Sequence, residues 1–338
     1  MAGTGTAHLR PDARPLLAVD DLVVTFQAGR RRSVQAVSSI SFDVVAGETL
    51  GVVGESGCGK SSAARAVLQL PRPASGRVRF DGVDLTALRG EQLRRIRAGV
   101  QLIFQDPKSA LNPRQTVREL VGEGLAIWGA SADADARVDA ALAAVGFDPD
   151  AIGGRLPGEL SGGQSQRVCI ARALVLEPKL LICDEPVSAL DVSVQAQVLN
   201  LLEHAKAAYG LSMVFISHDL AVVKAISDRV LVMYLGKVCE VGDPDLLYRA
   251  PAHPYTALLL ASRPTARRAD VPAALPDLAV ERELPSATAP PSGCRFRTRC
   301  PYARERCERE EPTLRAVGGD QWVACHFPLT VGRAAVAA

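Results

Sequence analysis

Aromatic residues are scarce in this 338-residue chain, at 4%. That is low for a receptor or a stacking-type RNA binder and ordinary for a core driven by nucleotide binding. Long apolar runs are missing too, since no segment reaches the roughly 18 uninterrupted apolar residues of a membrane span. Met1 to Arg14 lacks the apolar stretch of a secretory signal. A soluble cytosolic protein is therefore the expectation. Nor does one sign of charge dominate. With 39 basic and 37 acidic residues the formal net charge is +2, so the overall field argues neither for nor against nucleic acid. What the chain does have is length, enough for about two to three domains with ample cores.

Against that background one stretch stands out: residues 51–62, Gly-Val-Val-Gly-Glu-Ser-Gly-Cys-Gly-Lys-Ser-Ser. Gly54, Gly59, Lys60 and Ser61 fit the spacing G-x-x-x-x-G-K-[ST] without a mismatch. Thr49 to Val53 reads as a buried strand feeding the loop, and Ser62 to Leu70 as the helix after it. This context separates the motif from an ordinary glycine-rich turn. Glycines let the backbone curl until successive N–H groups face phosphate oxygens, and the helix N-terminus adds partial positive charge. Glu55, Ser56, Gly57 and Cys58 complete the cradle. Lys60 is placed to reach the β- and γ-phosphates, and the Ser61 hydroxyl, with Ser62 beside it, to ligate Mg²⁺. The loop binds a nucleotide. Phe26, upstream, reads either as a platform for the purine or as a core residue at a strand end.

The rest of the chain alternates strands and helices. Leu16 to Phe26 and Val34 to Val45 read as strands joined by a basic loop, whose Arg30-Arg31-Arg32 run is expected to be a solvated tip. Gly76 to Asp84 reads as a hairpin, Glu91 to Arg97 as a short basic helix, and Val100 to Phe104 as a strand ending at Gln105. Helical patterns at Val117 to Trp128 and Ala134 to Val145, with no strand before Glu159, mark an α-helical insertion. A helix over Ser161 to Leu174 and a strand over Lys179 to Cys183 follow. After them come a helix at Ser193 to Ala208, a strand at Ser212 to Ile216 and a helix at Leu220 to Ile226. Arg229 to Tyr234 and Lys237 to Val241 pair around Leu235-Gly236. This order implies a mainly parallel sheet with antiparallel strands on the N-terminal side. From Pro251 onward Pro, Ala and Arg accumulate, the mark of an appended, loop-rich segment.

Leu180 to Cys183 runs into two carboxylates, Asp184 and Glu185. Phosphoryl transfer needs a metal-bound triphosphate and a positioned water, so the two acids can divide the work. Asp184 is assigned to Mg²⁺ and Glu185, facing the other way, to the attacking water. Two acids at a strand end can also be turn chemistry, but a phosphate loop in the same chain weighs against it.

Leu160-Ser161-Gly162-Gly163-Gln164 resembles the signature motif of ATP-binding-cassette ATPases and lies where that family has it. Gln105 matches the family's Q-loop, Ser188-Ala189-Leu190-Asp191 its D-loop and His218 its switch histidine. Ser165 departs from the family, which often has Arg or Lys there. The resemblance implies an α/β P-loop NTPase core of RecA-like type, with an antiparallel β-subdomain and an α-helical subdomain. Catalytic roles then fall on Glu185, His218 and Gln105, and Mg²⁺ contacts on Ser61, Gln105 and Asp184. Ser161, Gly162, Gly163 and Gln164 would meet the γ-phosphate held by a partner subunit, with Ser188 and Asp191 in the D-loop. Two ATP molecules are then sandwiched between two cassettes.

Ala252-His253-Pro254-Tyr255-Thr256, Gly293-Cys294-Arg295-Phe296-Arg297 and Arg299-Cys300-Pro301 resemble the C-terminal extension of oligopeptide and dipeptide importer ATPases. Residues 15–250 would form the cassette, with a helical subdomain at about 106–160, and 251–338 the extension. Cys294, Cys300, Cys307 and Cys325 follow C-x5-C-x6-C-x17-C. A disulfide pair does not suit a reducing cytosol, and the spacing is irregular for a zinc ribbon. Four thiolates can hold an iron–sulfur cluster, or free thiols can pack in an apolar knot. The family resemblance implies a [4Fe-4S] cluster, with Zn²⁺ as the alternative and Arg295, Arg297 and Arg299 offsetting cluster charge.

The implied partners are a second cassette, identical or paralogous, two membrane permeases and, indirectly, an extracytoplasmic peptide-binding protein, with no nucleic acid. The implied location is peripheral, on the cytoplasmic face of the inner membrane. Related systems move nickel, glutathione or sugars. A soluble cassette protein acting on ribosomes or DNA is the other reading. Ribosomal members usually carry two cassettes where this chain has one, and no heptad run appears between 105 and 160. A scaffold that binds ATP without turnover is opposed by Glu185 and His218.

Overall fold

The computed structural model describes residues 5–27, 33–129, 133–262 and 285–329. The Arg30-Arg31-Arg32 tip lies outside the described residues. Two compact units emerge, one of residues 1–88 with 217–338 and the other of residues 89–216.

In the first unit β1 (Leu17–Gln27) and β2 (Ser33–Val44) pair antiparallel, from Leu17 opposite Val44 to Gln27 opposite Ser33. Leu17, Val19, Leu22, Val24, Val37 and Ile40 are fully buried, the mark of strands with one face on a core. β3 (Thr49–Val53) is buried along its whole length, as a parallel strand covered on both faces is. The helix α1 (Lys60–Val67) follows it directly. Sequence spacing predicts that helix at Ser62 to Leu70; it begins two residues sooner, with Gly59 at its N-cap position, and runs only to Val67, with Leu68 at its C-cap. β4 (Ser75–Phe80) and β5 (Val83–Asp84) complete a four-stranded sheet of order β2-β1-β4-β5. Asp81 and Gly82, both at positive φ, make the two-residue turn between them.

The second unit holds α2 (Gly90–Ala98), β6 (Val100–Ile103) and a run of helices with no strand between them among the described residues. These are α3 (Pro107–Ala110), α4 (Val117–Ile127), α5 (Ala134–Ala144), α6 (Pro149–Ile152) and α7 (Gly162–Leu174). Their starts are written in side chains: Asp106, Thr116, Asp148 and Ser161 each accept a hydrogen bond from a first-turn N–H. On α4, Val117, Leu120, Val121 and Leu125 recur at helical spacing and are buried. β7 (Leu180–Asp184), α8 (Val192–Tyr209) and β8 (Ser212–Ser217) follow, with β6, β7 and β8 in parallel register.

Back in the first unit, α9 (Leu220–Ile226) precedes the hairpin β9 (Arg229–Tyr234) and β10 (Lys237–Gly242). Then come α10 (Pro244–Arg249), α11 (Pro254–Ala261), α12 (Glu305–Arg309), β11 (Arg315–Gly318) and β12 (Gln321–Val323). Here the order along the sheet is β11-β12-β10-β9-β3. The C-terminal segment is thus more than loop: β12 pairs with β10 at Glu240 opposite Val323 and Val241 opposite Trp322.

Glu240 fastens this attachment. It is wholly buried and accepts the N–H groups of Ala252 at 2.8 Å and His253 at 2.9 Å and the Gln321 amide at 2.6 Å. Burial raises its pKa against the opposing pull of these donors. Glu240→Ala strands several buried donors, each costing about 1–3 kcal/mol. We expect a loss of about 3 kcal/mol in urea unfolding. A change below about 0.5 kcal/mol would place the carboxylate outside the attachment.

Candidate active site

The phosphate loop belongs to the first unit. A Cβ on Gly54 would lie 2.2 Å from the Met233 carbonyl oxygen, and one on Gly59 2.2 Å from that of Ala36. Gly59 also holds φ at 106°, so both positions require glycine. Lys60 is buried, and its ammonium donates to the carbonyls of Gly54 at 2.7 Å and Glu55 at 3.1 Å. The Cys58 N–H donates to the Glu55 carbonyl at 3.2 Å, and the Cys58 carbonyl accepts from the Gly236 N–H at 2.7 Å. Cys58 itself is buried, and burial raises its thiol pKa, so it packs as a small apolar group. Ser56 and Gly57 are exposed at the tip, while Ser61 and Ser62 lie half-buried in the first turn of α1.

Phe26 is 41% exposed, opposite Val34 near the end of β1. Of its two sequence readings, the buried core residue is excluded. His218 is exposed between β8 and α9, and its neighbour Asp219 caps α9 through the Ala221 N–H at 2.7 Å.

The second unit gathers the acids. Asp184 ends β7 and is wholly buried; Glu185 follows it at φ 48°. Left-handed backbone at a non-glycine residue is strained and persists where surroundings fix it. Three contacts do so. The Glu185 N–H donates to the Ile216 carbonyl at 3.0 Å, its own carbonyl accepts the Ser188 hydroxyl at 3.1 Å, and the Gln105 amide donates to its Oε2 at 3.2 Å. Q-loop, acid pair and D-loop residues predicted from sequence thus meet around one side chain. Asp191 stands at the N-cap position of α8, without a side-chain capping bond, beside Val192, which is 83% exposed.

Ser161 is exposed at the head of α7. Its hydroxyl accepts the Gln164 N–H at 3.3 Å, and its own N–H donates to Gln164 Oε1 at 2.9 Å. The signature motif is therefore also a capping box. Gly163 fits closely, since a Cβ there would stand 2.6 Å from Val194 Cγ1. Ser165, the departure from the family pattern, is fully buried and takes no part in the exposed head.

The hydroxyl of Ser61, the amide of Gln105 and the carboxylate of Asp184 are hard oxygen donors of the kind Mg²⁺ takes. The four late cysteines behave differently. Cys294, Cys300, Cys307 and Cys325 line one pocket with His253 and His326. Among the described residues, however, no group of three or more His, Cys, Asp or Glu side chains stands so as to hold a metal ion. Burial pushes the thiols of Cys294 up to about 11 and of Cys300 and Cys325 up to about 12. The arginines expected to offset cluster charge are committed elsewhere. Arg295 donates to the Leu235 carbonyl and the Ser38 hydroxyl, Arg297 to Ser292, and Arg299 to Glu55. The [4Fe-4S] expectation and its Zn²⁺ alternative find no support in this geometry.

Two contacts to the phosphate loop escaped the sequence reading. The Tyr255 hydroxyl accepts the Glu55 N–H at 2.8 Å, and Arg299 forks onto both Glu55 oxygens at 2.8 and 3.0 Å. A cavity of about 510 Å³, lined by Arg10, Glu48, Asp243, Asp320 and Trp322 among others, contains none of the motif residues.

Residues 37–188 match the model of the ABC transporter family, and residues 239–307 that of the oligopeptide/dipeptide transporter C-terminal region. The chain is 47% identical to a putative oligopeptide transport ATP-binding protein of Bacillus subtilis, covering 93% of this chain and 95% of that one. It is 48% identical to the oligopeptide transport ATP-binding protein OppF of Salmonella typhimurium, over 88% and 92% of the two chains. Among solved structures it resembles a dimeric ATP-binding cassette in a post-hydrolysis state with ADP and phosphate. That match has a TM-score of 0.62 and 26% identity, over 68% of this chain and 98% of the other. A cassette from Clostridium perfringens, part of an ABC transporter complex, matches with a TM-score of 0.61 and 29% identity, over 69% and 90%.

Proposed function

The chain belongs to the ATP-binding-cassette transporter family, and from that premise we propose that it is the ATP-hydrolysing subunit of an oligopeptide importer. The observation that carries this reading is a match running nearly end to end, C-terminal region included, to oligopeptide transport ATP-binding proteins. Residues 15–250 act as the cassette and 251–338 as the extension that marks the peptide branch.

In the reaction, Lys60 and the loop N–H groups hold the β- and γ-phosphates, and Phe26 stacks on the adenine. Ser61, Gln105 and Asp184 would hold Mg²⁺, and the ion would offset charge on the triphosphate. Gln105 keeps the Glu185 carboxylate oriented, and Glu185 takes a proton from the attacking water. The water oxygen bonds to the γ-phosphorus as the bond to the β-phosphate oxygen breaks, giving ADP and phosphate. His218 contacts the γ-phosphate. Ser161, Gly162, Gly163 and Gln164 serve the nucleotide of a partner cassette, with Ser188 and Asp191 beside them.

Family membership brings permease partners and dimerisation. We assign two permeases and one further cassette, with an extracytoplasmic binding protein supplying the peptide and no nucleic acid involved. No helix among the described residues is long and apolar enough to cross a membrane, which fits a peripheral place at the inner face. The helices α4 and α5, of 11 residues each, offer no long coiled-coil arms for DNA. An iron–sulfur cluster on the four cysteines rests on family likeness alone, and iron and sulfide analysis of anaerobically purified protein decides it.

The whole reading is tested by affinity purification from detergent-solubilised membranes. Permeases should co-purify, and reconstituted vesicles should accumulate labelled oligopeptide only with ATP. Recovery with ribosomes or DNA instead would overturn it.

A further inference from the structure

We propose that Arg299 and Tyr255, both in the C-terminal extension, are positioning residues for the phosphate loop, so that the extension sets the affinity for nucleotide. Glu55 poses the problem. It is the second residue of a loop that must receive a triphosphate, and a bare carboxylate there repels the incoming negative charge. Arg299 answers it with a two-pronged guanidinium contact to both carboxylate oxygens, at 2.8 and 3.0 Å. Arg299 is only 12% exposed and Glu55 27%, so water screens the pair weakly. Forked arginine–carboxylate contacts of this kind fix direction as well as charge.

The guanidinium is itself held in place. Its carbon lies 5.7 Å from the Tyr234 ring centre and 5.9 Å from that of Phe296, within reach of the attraction between a cation and an aromatic face. Tyr234, Tyr255 and Phe296 pack on one another, with centroids 4.7 to 5.4 Å apart. The Tyr255 hydroxyl, at the edge of this cluster, accepts the Glu55 N–H at 2.8 Å. Both the main chain and the side chain of Glu55 are thereby tied to the extension. A second arm works through the turn between β9 and β10. Arg295 donates to the Leu235 carbonyl and the Ser38 hydroxyl, and the adjoining Gly236 N–H donates to the Cys58 carbonyl at 2.7 Å. Arg295 and Arg299 each adjoin a cysteine of the four-cysteine pocket, Cys294 and Cys300. The pocket is therefore joined to the loop directly by Arg299 and indirectly by Arg295 through the Leu235-Gly236 turn.

The inference rests on the reading that this loop holds MgATP, and the test separates the two. Affinity for MgATP is measured by calorimetry on the full chain, alongside the thermal midpoint and the kcat and KM of hydrolysis. Arg299→Gln should weaken binding roughly tenfold, the scale of one charged hydrogen-bonded contact. Its kcat at saturating ATP should stay within about twofold, a change in binding without a change in chemistry. Glu55→Gln combined with Arg299→Gln should recover most of the lost affinity, because the repelling charge is gone. Arg299→Lys should recover part. Tyr255→Phe, which removes a single oxygen, should weaken binding a few-fold and covers the case in which Arg299→Gln does not fold. Unchanged affinity in Arg299→Gln overturns the proposal, as does a double variant no better than the single one. A wild-type chain that fails to bind MgATP overturns the nucleotide reading itself.

Discussion

Replacing Glu185 by Gln slows steady-state ATP hydrolysis by about 10²–10⁴, the contribution of a positioned general base, while MgATP still binds. The substitution suits the question because it keeps the size of the side chain. Gln105 donates to Oε2 of Glu185 at 3.2 Å, and the amide oxygen of a glutamine can accept the same bond. The strained backbone at φ 48° and the N–H contact to Ile216 at 3.0 Å also persist. Only the ability to take a proton from water is lost. ATP that cannot be split holds the two cassettes together, so a dimer stable on size exclusion with ATP and Mg²⁺ should accompany the loss of phosphate release. Turnover equal to wild type removes Glu185 from the role of base.

Ser161→Arg should leave ATP binding by its own chain within about threefold and reduce hydrolysis by about 10²–10³, the effect of removing one oriented donor from a transition state. Ser161 is exposed, so an arginine there can be accommodated within the chain but not against a facing nucleotide. The change also removes the cap on α7, in which the Ser161 hydroxyl accepts the Gln164 N–H at 3.3 Å. That loss costs about 1 kcal/mol of helix stability. Ser161→Asn separates the two effects, because asparagine also caps well and has no long charged arm. Binding and hydrolysis lost together in Ser161→Arg, with the fold intact, would mean that the motif serves its own chain's nucleotide.

Sequence order and periodicity located most of the structure because the relevant signals are local. β3 falls at Thr49–Val53 and α9 at Leu220–Ile226, within the residues expected, since an apolar run and a helical stripe identify themselves. The meeting of Gln105 with Glu185, 80 positions apart, followed only because the family resemblance linked them. What was not legible joins distant residues by chemistry lacking any pattern. Glu240 sits in an apolar strand and looks like a lone polar interruption until Ala252, His253 and Gln321 are seen around it. Arg299 precedes a cysteine and reads as a companion of that cysteine, whereas its partner lies 244 positions away. Charge composition cannot choose between such partners. Only the fold can.

The hairpin formed by β11 and β12 has a consequence for what a shortened chain would expose. Its two rungs on β10, Glu240 with Val323 and Val241 with Trp322, shield hydrogen-bonding groups that a shortened protein would bare. An unguarded strand flank invites pairing with any similar flank, the usual start of ordered clumping. A chain cut back to its catalytic portion would keep every motif and lose its cover there.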